Sequence, residues 1–216
     1  MADSDMDHKS THGDKGQVQC GRIRRCKPWP EVPDKTWQRV NVCSSSTNRL
    51  FRQLSPMLLG PVEKDGVECK LMENLWQFSK VFPSEVDAKT GDPLPKFFER
   101  RKVMFAASKG KRHKMKGQKP AYSYWQGHRW SYLEARRELY LPVYVEYVQK
   151  TDGWRQLLTL HKRGVNLLIL GYDGRAYTDL DAEFANGAAS FGHELILCAM
   201  LQGKIDLVKC RWIDKA

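Results

Sequence analysis

Apolar residues recur at helical spacing at Leu71, Leu75 and Phe78, with Met72 and Trp76 beside them, which predicts a core helix over 71–81. Within it Glu73, Gln77 and Lys80 fall on one stripe, a carboxylate, an amide and an ammonium facing the same way. The alternation over Gln38 to Cys43 predicts a strand; the turn cluster Ser44-Ser45-Ser46-Thr47-Asn48 follows, then a loop-like stretch to Leu59. Asp65-Gly66 marks a tight turn. A second helix is expected from Lys96 to about Lys109, stopped by Gly110, after the exposed connection Asp87 to Pro95. Ser131-Tyr132-Leu133-Glu134 is a capping box that opens a third helix, which Pro142 should kink or divide. Trp154 to His161 suits a short helix, and Val165 to Leu170 a buried strand ending in the turn Gly171-Tyr172-Asp173-Gly174. Residues 175–190 read as a polar loop, and Phe191 to Leu201 as a last helix capped by Gly203. Helices with a few short strands predict an α+β fold, a helix-dominated single domain over 37–216. Residues 1–36 mix charge, glycine and proline with little apolar periodicity and read as a flexible N-terminal arm.

Charge changes this picture by pointing to anionic partners. The 216 residues carry 36 Lys and Arg against 25 Asp and Glu, a net charge of +11. Much of the excess lies between Glu99 and Lys119, where Arg100, Arg101, Lys102, Lys109, Lys111, Arg112, Lys114, Lys116 and Lys119 face a single acid; a solvated surface and a nucleic-acid or nucleotide face are both compatible with it. Six cysteines without CxxC spacing, and a polar N-terminus, fit reduced thiols in a cytoplasmic or nuclear setting. A zinc site from Cys20 and Cys26 with His8 and His12 matches no familiar spacing, so neither a metal nor a cofactor is expected. No apolar run approaches the ~20 residues of a membrane span, so a soluble chain is expected.

The polar stripe of the 71–81 helix has two readings, a Glu/Lys pair in solvent or a seam that faces a ligand, and the residues alone leave both open. Trp130, just before a capping serine, is either a core residue or a stacking platform. Asp173 is either a turn residue or a second carboxylate. His128 and His193 read as structural, although His193 sits at a helix start where a ligand phosphate would dock. Tyr122, Tyr124 and Trp125 suit an aromatic core segment and a nucleobase contact equally.

Ser55-Pro56-Met57, the turn Asp65-Gly66 and Glu73-Asn74-Leu75-Trp76-Gln77-Phe78-Ser79-Lys80 together resemble the NADAR (YbiA-like) family pattern, which runs SNF, a DG turn and EHxFQxxK without a gap. Ala106 to Lys111, Trp130, Leu157-Leu158-Thr159, the strand Val165 to Leu170 and Phe191 to Met200 are similar to later family segments in the same order. Asn74 stands where the family has histidine, Cys69 where it has tryptophan, and only Asp173 offers a loose match to its strand-end acid.

The resemblance implies an N-glycosidase that hydrolyses the C1'–N bond of a ribosylated base or amine, either an ADP-ribosylated nucleic-acid base or a phosphoribosylated intermediate. The oxocarbenium-like state of that reaction needs a carboxylate near C1', for which Glu73 is the candidate with Asp173 as a second. Gln77 would hold ribose hydroxyls, Lys80 with Lys111 or Arg112 would take phosphate, and Trp130 would stack on the base. The alternative is a non-catalytic basic protein that binds nucleic acid or nucleotides.

Overall fold

The computed structural model describes residues 15–23 and 36–214. In chain order the elements are β1 (Val18–Arg22), β2 (Gln38–Asn41), α1 (Arg49–Arg52), β3 (Val62–Lys64), β4 (Val67–Cys69), α2 (Met72–Phe78), β5 (Lys80–Val81), α3 (Pro95–Phe105), β6 (Tyr122–Trp125), β7 (His128–Trp130) and α4 (Tyr132–Ala135). A π-helical turn, Arg136–Tyr140, leads into α5 (Leu141–Val148), followed by α6 (Asp152–Lys162), β8 (Leu167–Gly171), α7 (Leu180–Ala185), α8 (His193–Leu201), β9 (Ile205–Asp206) and β10 (Arg211–Trp212). The fold is α+β, with helices gathered around small sheets. No helix among the described residues is long and apolar enough to cross a membrane.

The centre is a parallel three-stranded sheet in the order β1-β8-β2. Leu167 to Leu170 of β8 are buried throughout, as a strand covered on both faces must be. On one face lies α8, whose residues from Leu195 to Leu201 are all buried and join Val40, Ile169, Leu139, Tyr144 and Leu157 in one core. The other sheets are peripheral: the β3-β4 hairpin turning at Asp65-Gly66, the antiparallel β5-β6-β7 sheet, and the β9-β10 pair. Asp65 and Gly66 have φ of 50° and 76°, the left-handed conformations that a two-residue hairpin turn demands.

Several expectations need correction. The arm drawn over 1–36 contains a strand: Val18 and Cys20 point inward and β1 pairs with β8 in register from Val18↔Leu167 to Arg22↔Gly171. Residues 1–14 and 24–35, including the proline-rich stretch and His8, His12 and Cys26 of the zinc idea, lie outside the described residues. The loop drawn after Asn48 holds the short α1, because the Asn48 side chain accepts from the amides of Leu50 and Phe51 as an N-cap. The polar loop over 175–190 holds α7, capped by Asp179. The helix expected to reach Lys109 stops at Phe105, since Asn74 takes the carbonyls of Met104, Ala107 and Lys109 that continued winding would use. The capping box at Ser131 and Glu134 is present. Pro142 follows the π-helical turn; widening the helix there relieves the clash between the proline ring and the carbonyl four residues back.

Candidate functional site

Helix α2 enters the interior without a side-chain cap and buries Met72, Leu75, Trp76 and Phe78. Its polar stripe is carried into the core, and only 8% of Glu73 remains accessible. The helix ends at Phe78, so Lys80 opens β5 instead of completing the stripe on the helix. The three side chains nonetheless form one relay: Gln77 Nε2 donates to Glu73 Oε1 at 3.0 Å, and Lys80 Nζ donates to Gln77 Oε1 at 3.0 Å. The stripe is therefore not an ion pair in solvent, because an amide stands between acid and base.

Burial acts on the two ends from opposite sides. It pushes the Glu73 carboxyl up, with the Gln77 hydrogen bond and the charges of Lys80, Arg112 and His193 opposing it. It pulls the Lys80 ammonium down to about 8 against the attraction of Glu73, and Nζ also sits 4.7 Å from the centre of the Trp76 ring. An acid raised and a base lowered move toward one another, the direction that favours proton-transfer chemistry.

The relay faces a cavity of about 870 Å³. Four stretches of the chain supply most of its walls. The first is Ser55 to Met57, and the second is α2 with Lys80. The third is the basic segment, where Arg112, His113, Lys114 and Met115 line the space. The last is the region after the central strand, with Tyr172, Asp173 and Ser190 to Glu194. Tyr132 and Tyr140, with Cys43, Ser44 and Phe82, add to the enclosure.

Asn74 holds the basic wall in place. It is fully buried; its amide donates to the carbonyls of Met104 and Lys109 at 3.0 Å and of Ala107 at 3.3 Å, and its Oδ1 accepts from the Lys111 amide at 2.8 Å. Gly110 lies so close to Met57 that a Cβ there would stand 3.1 Å from its backbone, which presses this wall against the Ser55–Met57 wall. His113 is held between Phe78 and Phe82, with ring centres 4.9 and 4.7 Å away, and burial lowers it to about 4, so it lines the cavity as a neutral ring. The opposite wall is clipped by Arg136, 1% exposed, whose guanidinium donates to the carbonyls of Phe184, Asn186 and Ala189 just before Ser190.

Glu73, Gln77, Lys80, Arg112 and Asp173 are thus brought together at one cavity. Lys111 and Trp130 are not. Lys111 is exposed and contributes its backbone amide to Asn74, while Arg112, next in the chain and also exposed, lines the cavity and lies 5.7 Å from the Tyr172 ring. Trp130 ends β7 away from the cavity, stacked with His128 at 6.0 Å and packed on the core, because the strand ends before the capping box turns the chain. The aromatic rings at the cavity are Trp76, Phe82, Tyr132, Tyr140, Tyr172 and Phe191, besides the imidazoles of His113 and His193. Trp125 is fully buried in β6, where a core strand and not a nucleobase contact explains it. Glu194, Tyr172 and Lys114 are cavity residues that the sequence did not single out. For Glu194 the available signal was an acid beside a histidine at the start of an otherwise wholly apolar helix.

No protein-family model matches this chain, and neither do the curated proteins or the solved structures.

Proposed function

We propose that this protein is an N-glycosidase that hydrolyses the C1'–N bond of a ribosylated base or amine. The observation that carries this reading is the buried Glu73–Gln77–Lys80 relay, with its acid raised and its base lowered toward neutrality, open to a cavity large enough for a nucleotide and walled on one side by Arg112 and Lys114. Water attacks C1' as the C1'–N bond breaks. The electron pair of that bond goes to the departing nitrogen, and the proton of the water goes to Glu73. Lys80, still largely protonated at neutral pH, supplies the proton that the departing nitrogen takes up. Carboxylates at Glu73 and Asp173 stabilise the positive charge that builds on the sugar. Arg112 and Lys114 hold phosphate, and Tyr132, over a third exposed at the cavity mouth and 6.0 Å from Trp76, offers a face to the base. The resemblance of the Glu73 helix to the NADAR pattern supports the same reading and names ADP-ribosylated bases and phosphoribosylated intermediates as the substrates to try.

The test is incubation of wild type and Glu73→Gln with ADP-ribosylated guanosine DNA and with phosphoribosyl-pyrimidine intermediates, following the released base and sugar phosphate by mass spectrometry. Release by wild type, with a loss of at least about 100-fold in Glu73→Gln and little change in ligand affinity, is the expected result. Equal release by both proteins removes Glu73 from the mechanism, and release by neither removes the glycosidase.

A further inference from the structure

Away from the cavity, a groove of about 570 Å³ runs between β4 and α3. Its apolar lining comes from Pro61, Val67, Phe98, Phe105 and Ala106, and Phe98 is 42% exposed. Apolar surface left open in a groove is available to a partner. Two further features show what kind of partner fits.

The first is a strand edge. Glu63 pairs with Glu68 across the β3-β4 hairpin, and the Glu63 amide is taken by the Tyr147 hydroxyl at 2.9 Å. Opposed residues of an antiparallel pair either exchange both backbone bonds or turn them outward, so Glu68 turns its N–H and C=O away from β3. Two residues on, the same edge of β4 meets α3, where the Lys70 amide donates to the Phe105 carbonyl at 2.9 Å. The Glu68 N–H and C=O therefore point to the α3 side, along the groove, and neither has a partner among the described residues.

The second is Arg101. Its guanidinium lies over the rings of Phe105 and Trp125, 4.8 and 4.3 Å from their centres, and no carboxylate or carbonyl among the described residues bonds it. Burial pulls this cation down to about 10, with no acid beside it to oppose the shift. Lys70 and Lys102 line the groove with it, against Glu68 alone, so the balance of charge there is positive. The open N–H and C=O suit an extended backbone, the exposed ring suits an apolar side chain, and Arg101 suits a carboxylate, which a guanidinium takes with two parallel N–H bonds.

We infer that this groove docks an extended, acidic segment of a partner protein. The segment adds to the edge of β4 at Glu68, sets an apolar side chain on Phe98 and Phe105, and pairs a carboxylate with Arg101. A nucleic-acid backbone would meet the same positive charge but has no use for the strand edge or the apolar lining, so a peptide is the occupant. The groove shares no lining residue with the cavity, and a failure of the glycosidase leaves it untouched.

The test is selection of a displayed library of random short peptides on the full chain. Recovered peptides are expected to carry an aspartate or glutamate beside apolar residues. For the tightest of them, changing that acid to its amide should weaken binding by about 10- to 100-fold in calorimetry, as a charge-assisted hydrogen bond implies, and should change nothing further in Arg101→Met. Methylating the peptide's amides one at a time should find one that weakens binding by about 3- to 10-fold, the bond to the Glu68 carbonyl. In NMR titrations the backbone amide resonances of Glu68 and Lys70 should move. The acid-to-amide comparison and the titration use wild type alone, so an Arg101→Met chain that fails to fold does not remove the test. Recovery of no peptide, an acid that can be changed to its amide without loss, or shifts at the cavity in place of Glu68 each overturn the inference. An oligonucleotide that moves the Glu68 resonance when no peptide is recovered would assign the groove to nucleic acid and overturn it equally.

Discussion

Replacing Asn74 by alanine is expected to cost about as much as any single polar change in this chain, although no charge is involved. Its two N–H groups are shared among the carbonyls of Met104, Ala107 and Lys109, and its oxygen holds the Lys111 amide, with the whole side chain out of contact with solvent. Counting two donor bonds and one acceptor bond at ~1 kcal/mol each gives ~3 kcal/mol, before any cost for backbone groups left dry. For a domain of this length that corresponds to a fall in Tm of about 6–12 °C in a thermal melt followed by circular dichroism. Asn74→Asp is the sharper variant. It is nearly isosteric and still accepts from Lys111, but it turns an oxygen toward three carbonyls, so it should be at least as damaging as alanine and should worsen as pH rises and the carboxyl ionises. A Tm within about 3 °C of wild type for Asn74→Ala, or an unimpaired Asn74→Asp, would refute the view that this side chain ties down the basic wall.

Two further outcomes follow from burial. Lys80 is held at about 8 in the folded chain against an ordinary value of 10.5, so the unfolded state binds the extra proton. Stability from this residue should therefore rise between about pH 8 and 10.5 and be lost as pH falls back through that window. The difference in unfolding free energy between wild type and Lys80→Met, measured by urea titration at several pH values, should show that slope, and a flat difference would contradict it. Cys43 lies at the cavity, yet burial and then the charge of Glu194 push its thiol up to about 12. It should stay unmodified by iodoacetamide at pH 8 in the native protein and react in urea, as mass spectrometry of the digested protein will show; rapid native labelling would mean that the thiol is exposed or ionised.

The parts of this molecule that could be read in advance are those where local pattern and tertiary role coincide. Helix α2 announces itself because the residues that bury it recur at helical spacing, and its polar stripe stays together even though Lys80 lies past the helix end. The capping box at Ser131 needs only residues within one turn of each other. What escaped notice depends on partners far along the chain. Val18-Gln19-Cys20 is too short and too hemmed in by charge to read as a strand, and it becomes one only because β8 offers an edge about 150 residues later. Asn48 and Asp179 each cap a helix too short for apolar periodicity to reveal. Lys111 and Arg112 are adjacent basic residues, and the Asn74 clip on the backbone of the first decides that the second faces the cavity. Trp130 misled because an aromatic residue before a capping serine has the same local sequence whether it faces a ligand or the core. Asn74, which stands where the NADAR pattern that this helix resembles has histidine, likewise owes its role to distant partners, as a clip on the backbone from Met104 to Lys111.

The parallel pairing of β1 and β2 with β8 also constrains how the molecule is made. Both edge strands, Val18–Arg22 and Gln38–Asn41, are made well before the strand that lies between them, Leu167–Gly171. Until then Val18, Cys20 and Val40 have no sheet to join, so these strands must wait with their backbone edges open while the chain between Asn41 and Leu167 is made. Closure of so long a loop is slow, and unpaired strands are where chains associate wrongly. The central sheet thus waits on β8, and its two edge strands find their places only after that strand is made.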